Sequence, residues 1–71
     1  MKDYMKTEEF SKAVDCLVSA WFAEEAGDSG ADEVKGYRRW TEIAAADCGA
    51  DLDELRKDAR AEARKQYKEL V

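Results

Sequence analysis

Residues 10–22 read FSKAVDCLVSAWF, and this stretch decides the fold. Its apolar residues recur every three or four positions, which places their side chains on one face of an α-helix. Thr7 is a suitable N-cap before the run, and Gly27 is a suitable helix stop after it. The pattern therefore predicts a first helix near 8–26. Its apolar face comprises Phe10, Ala13, Val14, Leu17, Val18, Trp21 and Phe22.

A second helix is predicted near 31–48. Residues 27–30 read GDSG and form a turn, Ser29 and Asp32 have the spacing of a helix start, and Gly49 ends the segment. Gly36 lies in its interior, where glycine weakens a helix, so we expect a kink or a break near this residue. The broad apolar face contains Val34, Tyr37, Trp40, Thr41, Ala44 and Cys48.

A third helix is predicted near 52–70, because Asp51 and Glu54 have the spacing of a capping box. Alanines in its apolar stripe would let the first helix approach closely. We expect an all-α protein, a small three-helix bundle in which residues 1–71 form a single helical domain. The stripe of the third helix is Leu52, Leu55, Ala59, Ala63, Tyr67 and Leu70.

Composition argues against catalysis. The chain has 71 residues, no histidine, no proline and a formal net charge of -5. Histidine is the commonest general base and metal ligand, so we expect no enzyme, no cofactor and no metal site. Cys16 and Cys48 favour buried free thiols in a reducing compartment, with a disulfide as the open alternative. Without an apolar run of about 18 residues or an apolar signal segment, we expect a cytoplasmic protein with no membrane contact.

The acidity of the chain is concentrated around the predicted first turn. Five carboxylates occur within residues 24–33 with no basic residue between them. Such a patch attracts a basic partner and repels nucleic acid, whereas the alternative is a loop that only keeps the protein soluble. The predicted partner-binding residues are Glu24, Glu25, Asp28, Asp32 and Glu33, with Trp21 or Trp40 as an apolar anchor.

The third helix carries a basic ridge, which is the alternative binding surface. Four cations repeat at four-residue spacing and could bind phosphates, or pair with carboxylates of the chain itself. Residues 43–55 are similar to a helix-turn-helix, with Ala45 in the helix, Gly49 at the turn and Leu55 packing back. The turn that would enter a major groove is acidic, however, so helix-pair packing is the first interpretation. The ridge consists of Arg56, Arg60, Arg64 and Lys68.

These features together predict stoichiometric protein–protein binding. The acidic patch would occlude a basic surface on a nucleic-acid-handling partner. Small size, acidity and missing catalytic residues are similar to the properties of phage or mobile-element inhibitors, the class that includes anti-CRISPR proteins, although no motif carries this similarity. Two alternatives remain: a dimeric DNA-binding regulator that uses the basic ridge, and a homo-oligomer. The oligomer would pair third helices through Leu52, Leu55, Ala59, Ala63 and Leu70.

Overall fold

The computed structural model describes residues 2–71 and contains three α-helices: α1 (Glu8–Glu25), α2 (Ala31–Cys48) and α3 (Leu52–Leu70). A short 3-10 helix, Asp3–Lys6, precedes α1. No strand occurs within residues 2–71. The predicted all-α three-helix bundle is confirmed, and each helix begins and ends within one residue of its predicted boundary.

The helix ends follow from local hydrogen bonds. The Oγ1 of Thr7 accepts the N–H of Phe10 at 3.2 Å and caps α1, and the Oδ1 of Asp51 accepts the N–H of Asp53 at 3.2 Å at the start of α3. Gly30, at the start of α2, has a φ of +66°, and a Cβ there would lie 3.0 Å from the carbonyl oxygen of Ala20. Only glycine combines this left-handed backbone with so close an approach to α1.

The first helix is the centre of the bundle and packs against both others. It runs antiparallel to α2, because Gly30 contacts Ala20 while Gly36 approaches Cys16 nearer the start of α1. The helix α3 runs in the same direction as α1, since its end, at Tyr67, contacts Trp21 at the end of α1. α2 is one uninterrupted helix through Gly36; a bend of its axis there stays a prediction.

The core contains most of the predicted apolar residues, but two large ones are exposed. Leu55, Ala59 and Ala63 of α3 are fully buried, which agrees with the predicted close approach of α1 to the alanines. Phe22 was predicted on the buried face of α1 and Leu70 in the buried stripe of α3, but they are 36% and 68% exposed. Both predictions are wrong. Leu70 is the last residue of α3, and Phe22 lies at the edge of the apolar face of α1, where it contacts Tyr67 of α3 but stays partly exposed.

An N-terminal strap, residues 2–6, fastens the start of the chain to α3. The side chain of Tyr4 is 5% exposed, and its hydroxyl donates a hydrogen bond to Asp58. The ammonium group of Lys2 pairs with Glu54 and, at 3.1 Å, with Asp58. Thr7 joins the strap to α1, since its hydroxyl donates to the carbonyl oxygen of Tyr4 at 2.6 Å. No periodic signal in the sequence predicted this element.

Candidate protein-binding surface

Three aromatic side chains form a cluster where α1 and α3 end. The rings of Trp21 and Tyr67 meet edge to face, with centroids 5.6 Å apart and an interplanar angle of 85°. The ring of Phe22 lies 4.9 Å from that of Tyr67. Trp21 and Tyr67 are half-buried, and Phe22 is more exposed. We call Trp21, Phe22 and Tyr67 the aromatic cluster; partly exposed aromatic rings of this kind are typical anchors of protein interfaces.

A carboxylate of the predicted acidic patch is joined to this cluster. The hydroxyl of Tyr67 donates a hydrogen bond to the Oε2 of Glu25 at 2.6 Å. This bond to Glu25, reinforced by burial, raises the pKa of Tyr67 above its ordinary value, so the phenol remains a donor. The sequence did not indicate Tyr67 as a surface residue, because its periodicity placed it on a buried face. For Trp21 and Phe22, which are about 100° apart on α1, the sequence favoured burial of both and left open that one lies at the rim of the core.

Three other predicted carboxylates surround a hollow at the turn between α1 and α2. The hollow has a volume of about 360 Å³, and its lining includes Asp28, Asp32 and Glu33 together with Ala23 of α1. Asp28 and Asp32 are exposed, and Glu33 is half-buried. This end of the bundle is therefore strongly negative.

The acidic hollow and the aromatic cluster face different sides of α1. Trp21 and Phe22 are about 100° apart around the helix axis and both contact Tyr67, so the cluster lies about midway between them. Ala23, which lines the hollow, is about 150° from that direction. The five predicted carboxylates thus share one end of the bundle but do not form a single site. Glu25 belongs to the cluster side, and Glu24 is exposed and does not line the hollow.

Trp40 lies apart from both features. It is ten residues beyond Gly30 in α2, which corresponds to about 15 Å along the helix axis. The ammonium group of Lys12 lies over its half-buried ring, 4.6 Å from the ring centroid. Of the two predicted anchors, the structure therefore places only Trp21 beside the acidic end.

One of the four residues of the predicted basic ridge is bonded to other parts of the chain and is not free to bind a ligand. Arg56 is half-buried, and its Nε donates to the Oγ1 of Thr41 at 3.0 Å. Its guanidinium also contacts Glu42 at 3.6 Å and the carbonyl oxygen of Arg38 at 3.4 Å. The other ridge residues are exposed and have no ion pair within residues 2–71. They are Arg60, Arg64 and Lys68.

The helix-turn-helix-like run forms the junction between α2 and α3. Ala45 and Leu55 are buried there, while Asp53 and Glu54 are exposed in the first turn of α3. The stripe predicted for a homo-oligomer is largely covered by the chain itself, since Leu55, Ala59 and Ala63 have no exposed surface. Pairing of two copies through these residues would require the bundle to open.

Cys16 and Cys48 are both free and half-buried. Burial, and to a smaller extent Asp15 and Glu33, raise the pKa of the Cys16 thiol, so it stays protonated near neutral pH. Within residues 2–71 no group of three or more cysteine, aspartate or glutamate side chains is arranged to hold a metal ion. In the same part of the chain no helix has the length and apolarity needed to cross a membrane.

Comparison with known proteins identifies no relative of this chain. No protein-family model matches the chain, and no curated protein or solved structure matches it either.

Proposed function

We propose that this protein is a small binding module that acts stoichiometrically on a basic protein surface. The observation that carries the proposal is the aromatic cluster at the bundle end where the carboxylates of residues 24–33 are concentrated. Apolar anchors beside charges of one sign are typical of interfaces in which aromatic contacts supply affinity and charge guides association.

The partner we favour is a nucleic-acid-handling protein. Its binding groove would be rich in lysine and arginine, and carboxylates at the end of the bundle would compete with phosphates for these cations. Occlusion of such a groove is the mode of action of an inhibitor, as in the phage and mobile-element class that includes anti-CRISPR proteins. The cytoplasm, where such a partner works, is the proposed location.

Two other functions have less structural support. A DNA-binding surface formed by the basic ridge would lack Arg56, because its guanidinium is bonded to Thr41 and Glu42. A homo-oligomer that pairs through α3 could not use Leu55, Ala59 and Ala63, because they are buried in the core of each copy. The experiment below distinguishes both of these functions from the proposed one.

The test is affinity capture from nuclease-treated native lysate with matched charge variants. The acidic variant Glu25→Lys/Asp28→Lys/Asp32→Lys is compared with the basic variant Arg60→Glu/Arg64→Glu. We expect the unaltered protein and the basic variant to retain one basic protein, and the acidic variant to lose it. Added duplex DNA should displace the captured protein, and binding should weaken between low and moderate salt because exposed charges are screened.

Opposite results identify the alternatives. In a parallel capture from lysate without nuclease, recovery of DNA that is lost in the basic variant would indicate a DNA-binding regulator. Recovery of the protein's own copies alone would indicate an oligomer. Capture that is the same for the unaltered protein and the acidic variant would contradict the proposed function.

A further inference from the structure

The aromatic cluster presents two kinds of group that suit a planar cation. Phe22 is 36% exposed, and the ring of Tyr67 contacts the rings of both Trp21 and Phe22. Glu25 uses Oε2 to accept the Tyr67 hydroxyl, and its carboxylate makes no other hydrogen bond or ion pair within residues 2–71. The carboxylate of Glu25 is therefore held beside the aromatic cluster by its hydrogen bond from Tyr67.

The other aromatic rings near lysines differ from this cluster. The ammonium group of Lys12 lies over Trp40, and that of Lys2 lies 5.8 Å from the centroid of Tyr4. Within residues 2–71, no lysine or arginine takes the same position over a ring of the aromatic cluster. The cluster and its carboxylate thus have the components of a cation–π site but no cation from the chain.

We propose that the aromatic cluster and Glu25 form a receptor for an arginine side chain of the partner. This inference rests on the proposed function and names the group that the surface recognises. A guanidinium is planar, so it stacks on the exposed ring of Phe22 while its N–H groups donate to the carboxylate of Glu25. The ammonium of lysine is a strongly hydrated point charge and gains less from such a site.

Two peptides of equal length and charge, an oligoarginine and an oligolysine, test this preference. Their dissociation constants are measured by calorimetry in the same low-salt buffer. We expect the oligoarginine to bind about fivefold more tightly, the gain of one favourable cation–π contact at a partly exposed site. Phe22→Leu, which keeps an apolar side chain, and Glu25→Gln should each bring the ratio close to unity.

Glu24→Gln is the matched control, because it removes the same charge one residue away without touching Tyr67. It should weaken the binding of both peptides equally and leave the ratio of their dissociation constants unchanged. Equal affinity of the unaltered protein for both peptides would overturn the arginine receptor while leaving a general acidic surface intact. Binding of neither peptide would overturn the proposed function as well. Circular dichroism of each variant confirms that the helices are retained.

Discussion

A Cβ atom on Gly36 of α2 would lie 2.9 Å from the Sγ of Cys16 on α1. Real Cβ contacts are longer, so the absence of a side chain at Gly36 lets the two helices approach. Glycine in a helix interior costs about 0.5–1 kcal/mol relative to alanine. The contact with Cys16 therefore opposes a side chain at position 36 unless the thiol moves.

Gly36→Ala should therefore destabilise the protein, or at best leave its stability unchanged, despite the better helix propensity of alanine. In the Cys16→Ala background, where Sγ is absent, the same substitution should raise the free energy of unfolding by about 1 kcal/mol. Urea unfolding of the four proteins forms a double-mutant cycle that isolates the contact. An equal gain in both backgrounds would show that Cys16 does not limit position 36.

The strap should make stability fall at acidic pH. The hydroxyl of Tyr4, followed by the ammonium of Lys2, lowers the pKa of Asp58 below its ordinary 3.8. The unfolded chain then binds the proton first, so the contribution of Asp58 is complete above pH 3.8 and is lost as the pH falls through the lower folded pKa. Asp58→Asn should reduce this acid sensitivity, measured as the urea midpoint against pH.

Asp47→Asn is the control for that experiment, because Asp47 is exposed and has no hydrogen bond or ion pair within residues 2–71. It should leave the acid limb of the pH profile as in the unaltered protein. If Asp58→Asn and Asp47→Asn gave the same profile, the strap would not be the source of the acid sensitivity.

Leu55, the largest fully buried side chain, should be highly sensitive to truncation. It has no exposed surface, and Leu→Ala at such a site costs about 2–5 kcal/mol. A chain of this length has a stability of about 4–10 kcal/mol, so Leu55→Ala should remove a large share of it. Leu70→Ala, at a site that is 68% exposed, should change the melting temperature little. Equal thermal shifts for the two variants would contradict the burial of α3 described above.

Arg56 and Arg60 should differ in stability although both belong to the predicted ridge. Arg56→Ala removes the hydrogen bond to Thr41 and the packing of a half-buried stem, with an expected loss of about 1 kcal/mol. Arg60→Ala, at an exposed site, should lie within about 0.5 kcal/mol of the unaltered protein. Chemical denaturation measures both, and an equal loss would mean that the Arg56 contacts contribute nothing.

Local signals in the sequence predicted the helices well. Thr7, Gly49 and Asp51 mark helix boundaries by chemistry that operates within a few residues, and the structure uses Thr7 and Asp51 as side-chain caps. The period of the apolar residues predicted the buried faces for the same reason. Leu70 was mispredicted because periodicity reports a direction around a helix and says nothing about where the neighbouring helix stops. Phe22 was mispredicted because it lies at the edge of the apolar face, about 100° from Trp21, where periodicity does not decide burial.

The surface was harder to predict, because it depends on long-range placement. Glu25 and Tyr67 are 42 positions apart, and no spacing rule connects them. The acidic residues looked like one patch in the sequence, but the rotation of α1 separates the Glu25 side from the hollow. Arg56 matched the ridge by spacing, yet it is turned toward Thr41 by the packing of α2 against α3.

The strap has a consequence for the synthesis of the chain. Tyr4 leaves the ribosome 54 positions before its partner Asp58. During translation, α1 and α2 have the opportunity to pair before α3 exists, and Tyr4 can already contact Phe10 of α1, whereas the bonds of the strap to Glu54 and Asp58 cannot form until α3 emerges. The strap therefore completes its bonds only after α3 has been made, although the strap itself precedes α1 in the chain.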